Sequence, residues 1–201
     1  MSYIGVQPKT RKNGSRVLIA SLEADGDSSL TFVDGTNDVV MDSTYDAYEW
    51  HFINMHPATD NVTFGFQVNA TDDAGGGYDT SQISSSYFRA KHNEDGSATA
   101  LGYITAFDQA NGTGYQELPN EVGNDNDQST SGILTLYDPS STTYVKHFIA
   151  RCNDAHPSNI TMDCYVTGYI NDTTAIDEIS FKFSSGNIDA GEIHMYGVNH
   201  A

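Results

Sequence analysis

Tyr48-Glu49-Trp50-His51-Phe52-Ile53-Asn54, in the first half of the chain, is answered by Tyr144-Val145-Lys146-His147-Phe148-Ile149-Ala150 in the second. Tyr, His, Phe and Ile recur at one offset of 96 residues. Around this core the match continues with gaps: His56-Pro57 against His156-Pro157, Asn61-Val62-Thr63 against Asn159-Ile160-Thr161, and Leu30-Thr31-Phe32-Val33-Asp34 against Leu134-Thr135-Leu136-Tyr137-Asp138. Loops absorb insertions more readily than the elements they connect, so the pattern reads as a duplicated strand-rich unit with halves at about 16–107 and 130–201. A period of two puts Tyr48, Trp50 and Phe52 on one face and Glu49, His51, Ile53 and Met55 on the other. Apolar groups on both faces mark a central strand.

Further strands are expected at 16–20, 30–34, 61–69, 84–92, 99–107, 132–137, 144–152, 160–170, 176–184 and 191–198, with turn residues between them, as in Asp25-Gly26-Asp27, Asp34-Gly35 and Ser184-Ser185-Gly186-Asn187. No window spaces its apolar residues at three and four with caps at its ends, so no helix is expected. About a dozen short strands without helices point to an all-β protein. The duplication suits an antiparallel jelly-roll-like β-sandwich with an internal pseudo-twofold axis, Tyr48 lying on Tyr144 and Phe52 on Phe148. No linker separates the halves, so residues 16–201 read as one domain behind an extended N-terminal arm, 1–15. The expected core is Trp50, Phe52, Phe64, Phe66, Phe148, Ile149, Phe181 and Phe183.

The 201 residues include 27 acidic and 9 basic ones, a formal charge of −18. Such a surface repels phosphate backbones and anionic lipid heads, so neither nucleic acid nor membrane is an expected partner. No apolar run reaches the ~20 residues of a membrane helix, and Met1-Ser2-Tyr3-Ile4 lacks the marks of a signal peptide; a soluble protein made in the cytoplasm is the expectation. Three of the basic residues, Lys9, Arg11 and Lys12, fall in the arm beside Tyr3, Ile4 and Val6. That combination suits docking on the acidic body of a neighbouring copy.

Cys152 and Cys164 read as free buried thiols. If residues 153 to 159 form the loop of a hairpin, Cys152 faces about residue 160 and Cys164 lies ~13 Å further along, beyond the reach of a disulfide. The seven histidines show neither HxH nor HxxxH spacing. Asn124-Asp125-Asn126-Asp127-Gln128 and Asp25-Gly26-Asp27 offer oxygen ligands suited to Ca2+, but neither completes an EF-hand loop. No nucleophile elbow, phosphate-binding glycine loop or Cys-His arrangement stands out, so no catalytic residue, cofactor or enzymatic activity is expected. Residues 108–131 form the longest irregular stretch, where a partner would touch at 111–114 and 123–129. Tyr115, with Asn111, Asn124 and Asp125, is the one group with an aromatic beside amide and acidic side chains, the composition of a glycan contact.

The opening Ser2-Tyr3-Ile4-Gly5-Val6-Gln7-Pro8 resembles the YIG-x-x-P start of many tailed-bacteriophage fibre and appendage proteins. The segments 48–57, 132–139 and 185–197 resemble motifs of virion proteins of phages that infect aquatic bacteria. The resemblance spans nearly the whole chain and carries no catalytic residues. It implies a virion structural protein, a tail fibre, appendage or capsid-decoration component assembled in the host cytoplasm, with self and other virion proteins as partners. A lectin-like protein binding host surface glycan for attachment is the alternative, and a polysaccharide depolymerase ranks behind both.

Overall fold

A computed structural model describes residues 15–71 and 81–199. Thirteen strands follow in chain order: β1 Arg16–Ala24, β2 Leu30–Val33, β3 Ala47–Pro57, β4 Phe64–Ala70, β5 Ile83–Asn93, β6 Thr99–Tyr103, β7 Ala110–Gly112, β8 Gln116–Glu117, β9 Thr130–Tyr137, β10 Lys146–His156, β11 Ile160–Ile170, β12 Ile176–Phe183 and β13 Ile188–Val198. The described residues contain no helix. The strands make two antiparallel sheets packed as a sandwich. One has nine strands in the order β1-β13-β3-β9-β10-β11-β5-β6 with β7 on β5, and the other four in the order β2-β12-β4-β8. The arm's residues Tyr3, Ile4, Lys9, Arg11 and Lys12 lie outside the described residues.

The duplicated stretch does not obey a twofold axis. Both β3 and β10 pair antiparallel with β9, so they run parallel to each other with β9 between them. Leu136 lies opposite both Tyr48 and Phe148, and Leu134 opposite both Trp50 and Ala150. The copies are therefore shifted across one sheet with the same face inward. Tyr48 is fully buried in β3, whereas Tyr144 precedes β10 and is 70% exposed. The matched stretches 30–34 and 134–138 also part company, since β2 belongs to the small sheet and β9 to the large one.

Alternation explains the inner faces. In β10, Lys146, Phe148, Ala150, Cys152 and Asp154 are buried while His147, Ile149, Arg151 and Asn153 are exposed. Ile149 is thus an outer-face residue, 50% exposed, because it neighbours Phe148 in a strand of period two. In β3 the period breaks at Asn54, with φ 49°, where the register shifts and Met55 turns into the core. Under β3 lies an aromatic cluster: Phe181 contacts Phe32, Trp50, Phe52 and Phe64 at centroid distances of 5.2–6.3 Å.

The small sheet is narrower than the large one. The inner faces of β11 and β5 are covered instead by the irregular segment running from Ile104 to Val122: Tyr87 packs on Phe107, and Leu118, Asn120 and Val122 are buried. The same segment covers the outside of β4, where Gln67 donates to the Thr113 carbonyl and is 3% exposed. β4 is therefore buried on both faces. Cys152 and Cys164 are direct cross-strand partners, not ~13 Å apart as the loop estimate gave. β10 runs on to His156 and β11 starts at Ile160, with Asn159 at φ 57° closing a three-residue turn. Both thiols are free and buried.

Candidate functional site

Three regions carry polar or exposed groups that a partner, ligand or reaction could use. The first is the end of the sandwich where β3 and β10 finish at Pro57 and His156. The loop 123–129 sits between these two turns and is bonded to both. Gly123 N donates to Ala155 O at 3.0 Å, Ala155 N to Ser129 O at 3.1 Å, and Gln128 Nε2 to His156 O at 3.4 Å. His56 Nε2 lies 3.3 Å from Asp125 O, and its Nδ1 3.6 Å from Asp189 Oδ2. Asn124 N donates to Asp60 Oδ1 and its amide to Ala58 O. Beside the loop, Asn54, His56, Asn126 to Ser129 and Asp189 line an open hollow of about 500 Å³. Among the described residues, no three His, Cys, Asp or Glu side chains gather to hold a metal.

Tyr115 is elsewhere. The segment 116–122 runs antiparallel to 62–66, with Gln116 opposite Phe66 and Val122 opposite Val62. Tyr115 and Asn124 are therefore at opposite ends of one ladder, roughly 20–25 Å apart. The Tyr115 ring lies under Lys182 Nζ at 4.3 Å, and Asn111 bonds Ser84 at the edge of the large sheet. The structure keeps Asn124 and Asp125 together but does not bring Tyr115 or Asn111 to them.

The second region is buried and was not legible in the sequence. Tyr87 OH donates toward Leu118 O (2.8 Å) and Asn120 Oδ1 (2.9 Å), while Cys164 Sγ lies 3.7 Å from Asn120 Oδ1 and 3.6 Å from Asp154 Oδ1. Asn120 Nδ2 and Arg89 Nη1 converge on Glu121 Oε2 at 3.0 and 2.8 Å. Burial pushes the Asp154 carboxyl up to about 8 and the Cys164 thiol up to about 12; the Cys152 thiol is raised by the same cause. Burial thus favours the uncharged forms of this carboxyl and of both thiols. A thiolate, the reactive form of cysteine, is not offered. The network instead serves the cover: where its short strands leave backbone groups unpaired, side chains must satisfy them, as Tyr87 does for the Leu118 carbonyl and Gln116 for that of Phe107.

The third region is the outer face of the nine-stranded sheet. Its registers align one row, His194, His51, Ile133, Arg151, Tyr165, Phe88 and Tyr103, across seven strands. Within the row Arg151 lies over the Tyr165 ring at 4.6 Å, and Tyr165 stacks on Phe88 at 4.9 Å with 5° between planes. Tyr103 reaches Asp108 with its hydroxyl. Ile53, Ile133, Ile149, Phe88, Leu101, Tyr103 and Tyr169 are all at least 36% exposed. Carboxylates on this face are compensated in place. Burial alone would raise the Glu49 carboxyl, but Arg16 and His51 donate to it and hold it below the usual range. Arg151 binds Asp163 through two hydrogen bonds, and His194 Nε2 lies 2.8 Å from Glu192. The exposed Ile and aromatic residues were readable as strand residues; only the register shows that they share a face.

Neither a family model nor a curated protein matches this chain.

Proposed function

We propose that this chain is a non-enzymatic structural protein acting through protein–protein contacts, a virion component of the fibre, appendage or capsid-decoration kind that its motifs resemble. The observation that carries the reading is the outer face of the large sheet, where apolar and aromatic side chains stand exposed across adjacent strands. Contiguous exposed apolar patches on folded proteins mark interaction surfaces. Burial favours the uncharged forms of the thiols and carboxyl of the second region, which suits a structural role. The glycan-binding alternative has less support. Its residues are dispersed, and the Tyr165 ring faces that a sugar would stack on are covered by Arg151 and Phe88. Assembly in a reducing host cytoplasm accords with the free cysteines.

Negative-stain imaging of virions with an antibody against this chain tests the reading. Regular labelling of head or tail is the expected result; purified virions free of the chain overturn it.

A further inference from the structure

We infer that the outer face of the nine-stranded sheet is the contact between copies of this chain, sheet packed on sheet, an inference that rests on the assembly reading and names its surface. Charge selects the occupant. The protein carries −18, and any two copies repel. By the strand registers, the outward strand positions carry Glu23, Glu49, Asp163 and Glu192 of the 27 acidic residues, together with Arg16 and Arg151. Glu49, Asp163 and Glu192 have a cationic or imidazole neighbour on the same face, and Asp108, beyond the end of β6, accepts from the Tyr103 hydroxyl. A second copy can therefore approach here with most of the facing carboxylates already paired.

Size fits as well. Eight strands side by side, with seven spacings of ~4.8 Å and strands about eight residues long, make a face of roughly 900 Å². A standard stable interface takes ~800 Å² from each partner. At the middle of the face, Ile133, Ile149, Tyr165 and Phe88 surround the Arg151–Asp163 pair, and the paired charges of Arg16–Glu49 and Glu192–His194 sit toward the β1 side. Apolar and aromatic groups interspersed with paired charges, Arg among them, are the composition of a protein–protein contact. A twofold operator makes it self-complementary, and face-to-face sheets seat ~10 Å apart.

Sedimentation equilibrium of the full chain tests this. A dimer or larger closed oligomer is expected. Ile149→Glu or Leu101→Asp weakens it at least ~10-fold while the circular-dichroism spectrum stays that of the parent, whereas Lys182→Glu, on the small sheet, leaves it intact. Added salt tightens the association, because it screens the repulsion between two acidic bodies. A contact made by the basic arm on an acidic body would instead weaken with salt and vanish on deleting residues 1–14, and that pair of results overturns the inference. So does a monomer at all concentrations, or a dimer that survives both outer-face variants. A monomeric chain that still labels virions overturns this contact alone; an outer-face dimer absent from virions overturns the assembly reading alone.

Discussion

The two copies of the duplicated stretch lie in one sheet with only β9 between them, yet they face different interiors. β3 turns Tyr48, Trp50 and Phe52 inward, and Trp50 and Phe52 meet Phe32, Phe64 and Phe181 in an aromatic cluster. β10 turns Lys146, Phe148, Ala150, Cys152 and Asp154 inward. Of these only Phe148 finds an aromatic partner on the small sheet, Phe66 at 5.1 Å. Lys146 donates at one end to the carbonyls of Asp172 and Thr174, and Asp154 meets Cys164 at the other. The difference follows from what lies opposite. Strands pair their backbone groups with neighbouring strands and ask for apolar side chains, while the irregular parts of the cover leave carbonyls and amides that require polar ones. A sequence repeat thus conserves strand and face without conserving the environment.

The comparison can be broken first at the aromatic copy. Phe181→Ala removes the ring that joins Phe32, Trp50, Phe52 and Phe64, and should lower unfolding free energy in urea by ~4–5 kcal/mol; Phe148→Ala, with fewer ring neighbours, should cost ~3 kcal/mol. Equal losses would show that the two interiors are energetically alike.

The polar copy should respond to pH where the aromatic one does not. Burial pushes the Asp154 carboxyl in the folded chain up to about 8, from 3.8 for a solvated aspartate. The folded state therefore holds a proton that the unfolded chain gives up. This contribution is fully present below about pH 4 and is lost as the pH rises through about 8, by a few kcal/mol, each unit being worth about 1.4 kcal/mol. Asp154→Asn should flatten that slope in chemical-denaturation curves recorded from pH 4 to 8. An unchanged slope would show that this carboxyl titrates alike in both states.

At the opposite end of β10, Lys146→Ala strands the Asp172 and Thr174 carbonyls without their donor and should destabilise by ~1–3 kcal/mol in the same assay. The smallest effect belongs to the outer face: Ile149→Thr should change the stability of the separated chain by no more than ~0.5 kcal/mol. A loss comparable to that of Phe148→Ala would place Ile149 in the core after all.

Much of this architecture was legible along the chain. Alternating apolar residues bounded by Asn, Asp and Gly located every strand of five or more residues, and the all-β sandwich follows from them, because period and turn chemistry are local properties. Asn124 and Asp125 stay together because they are adjacent, and Tyr115 lies apart from them, since the loop that carries all three runs as a ladder along residues 62–66 and separates its ends. The repeat invited a twofold axis, but sequence similarity between two strands carries no information about which strand pairs between them.

What the sequence determined by itself is the alternation within each strand, hence which residues share a face, and the strongly acidic balance of the whole. What only the tertiary structure decided is register and cover. The turn at 157–159 set Cys152 opposite Cys164, the shared neighbour β9 made the two copies parallel, and the segment from Ile104 to Val122 was laid over β5 and β11 to bury Asp154, Tyr87 and Asn120 together. Register depends on turn length and on partners distant in the chain, and burial depends on what arrives from elsewhere to close the face; neither is written in any local window.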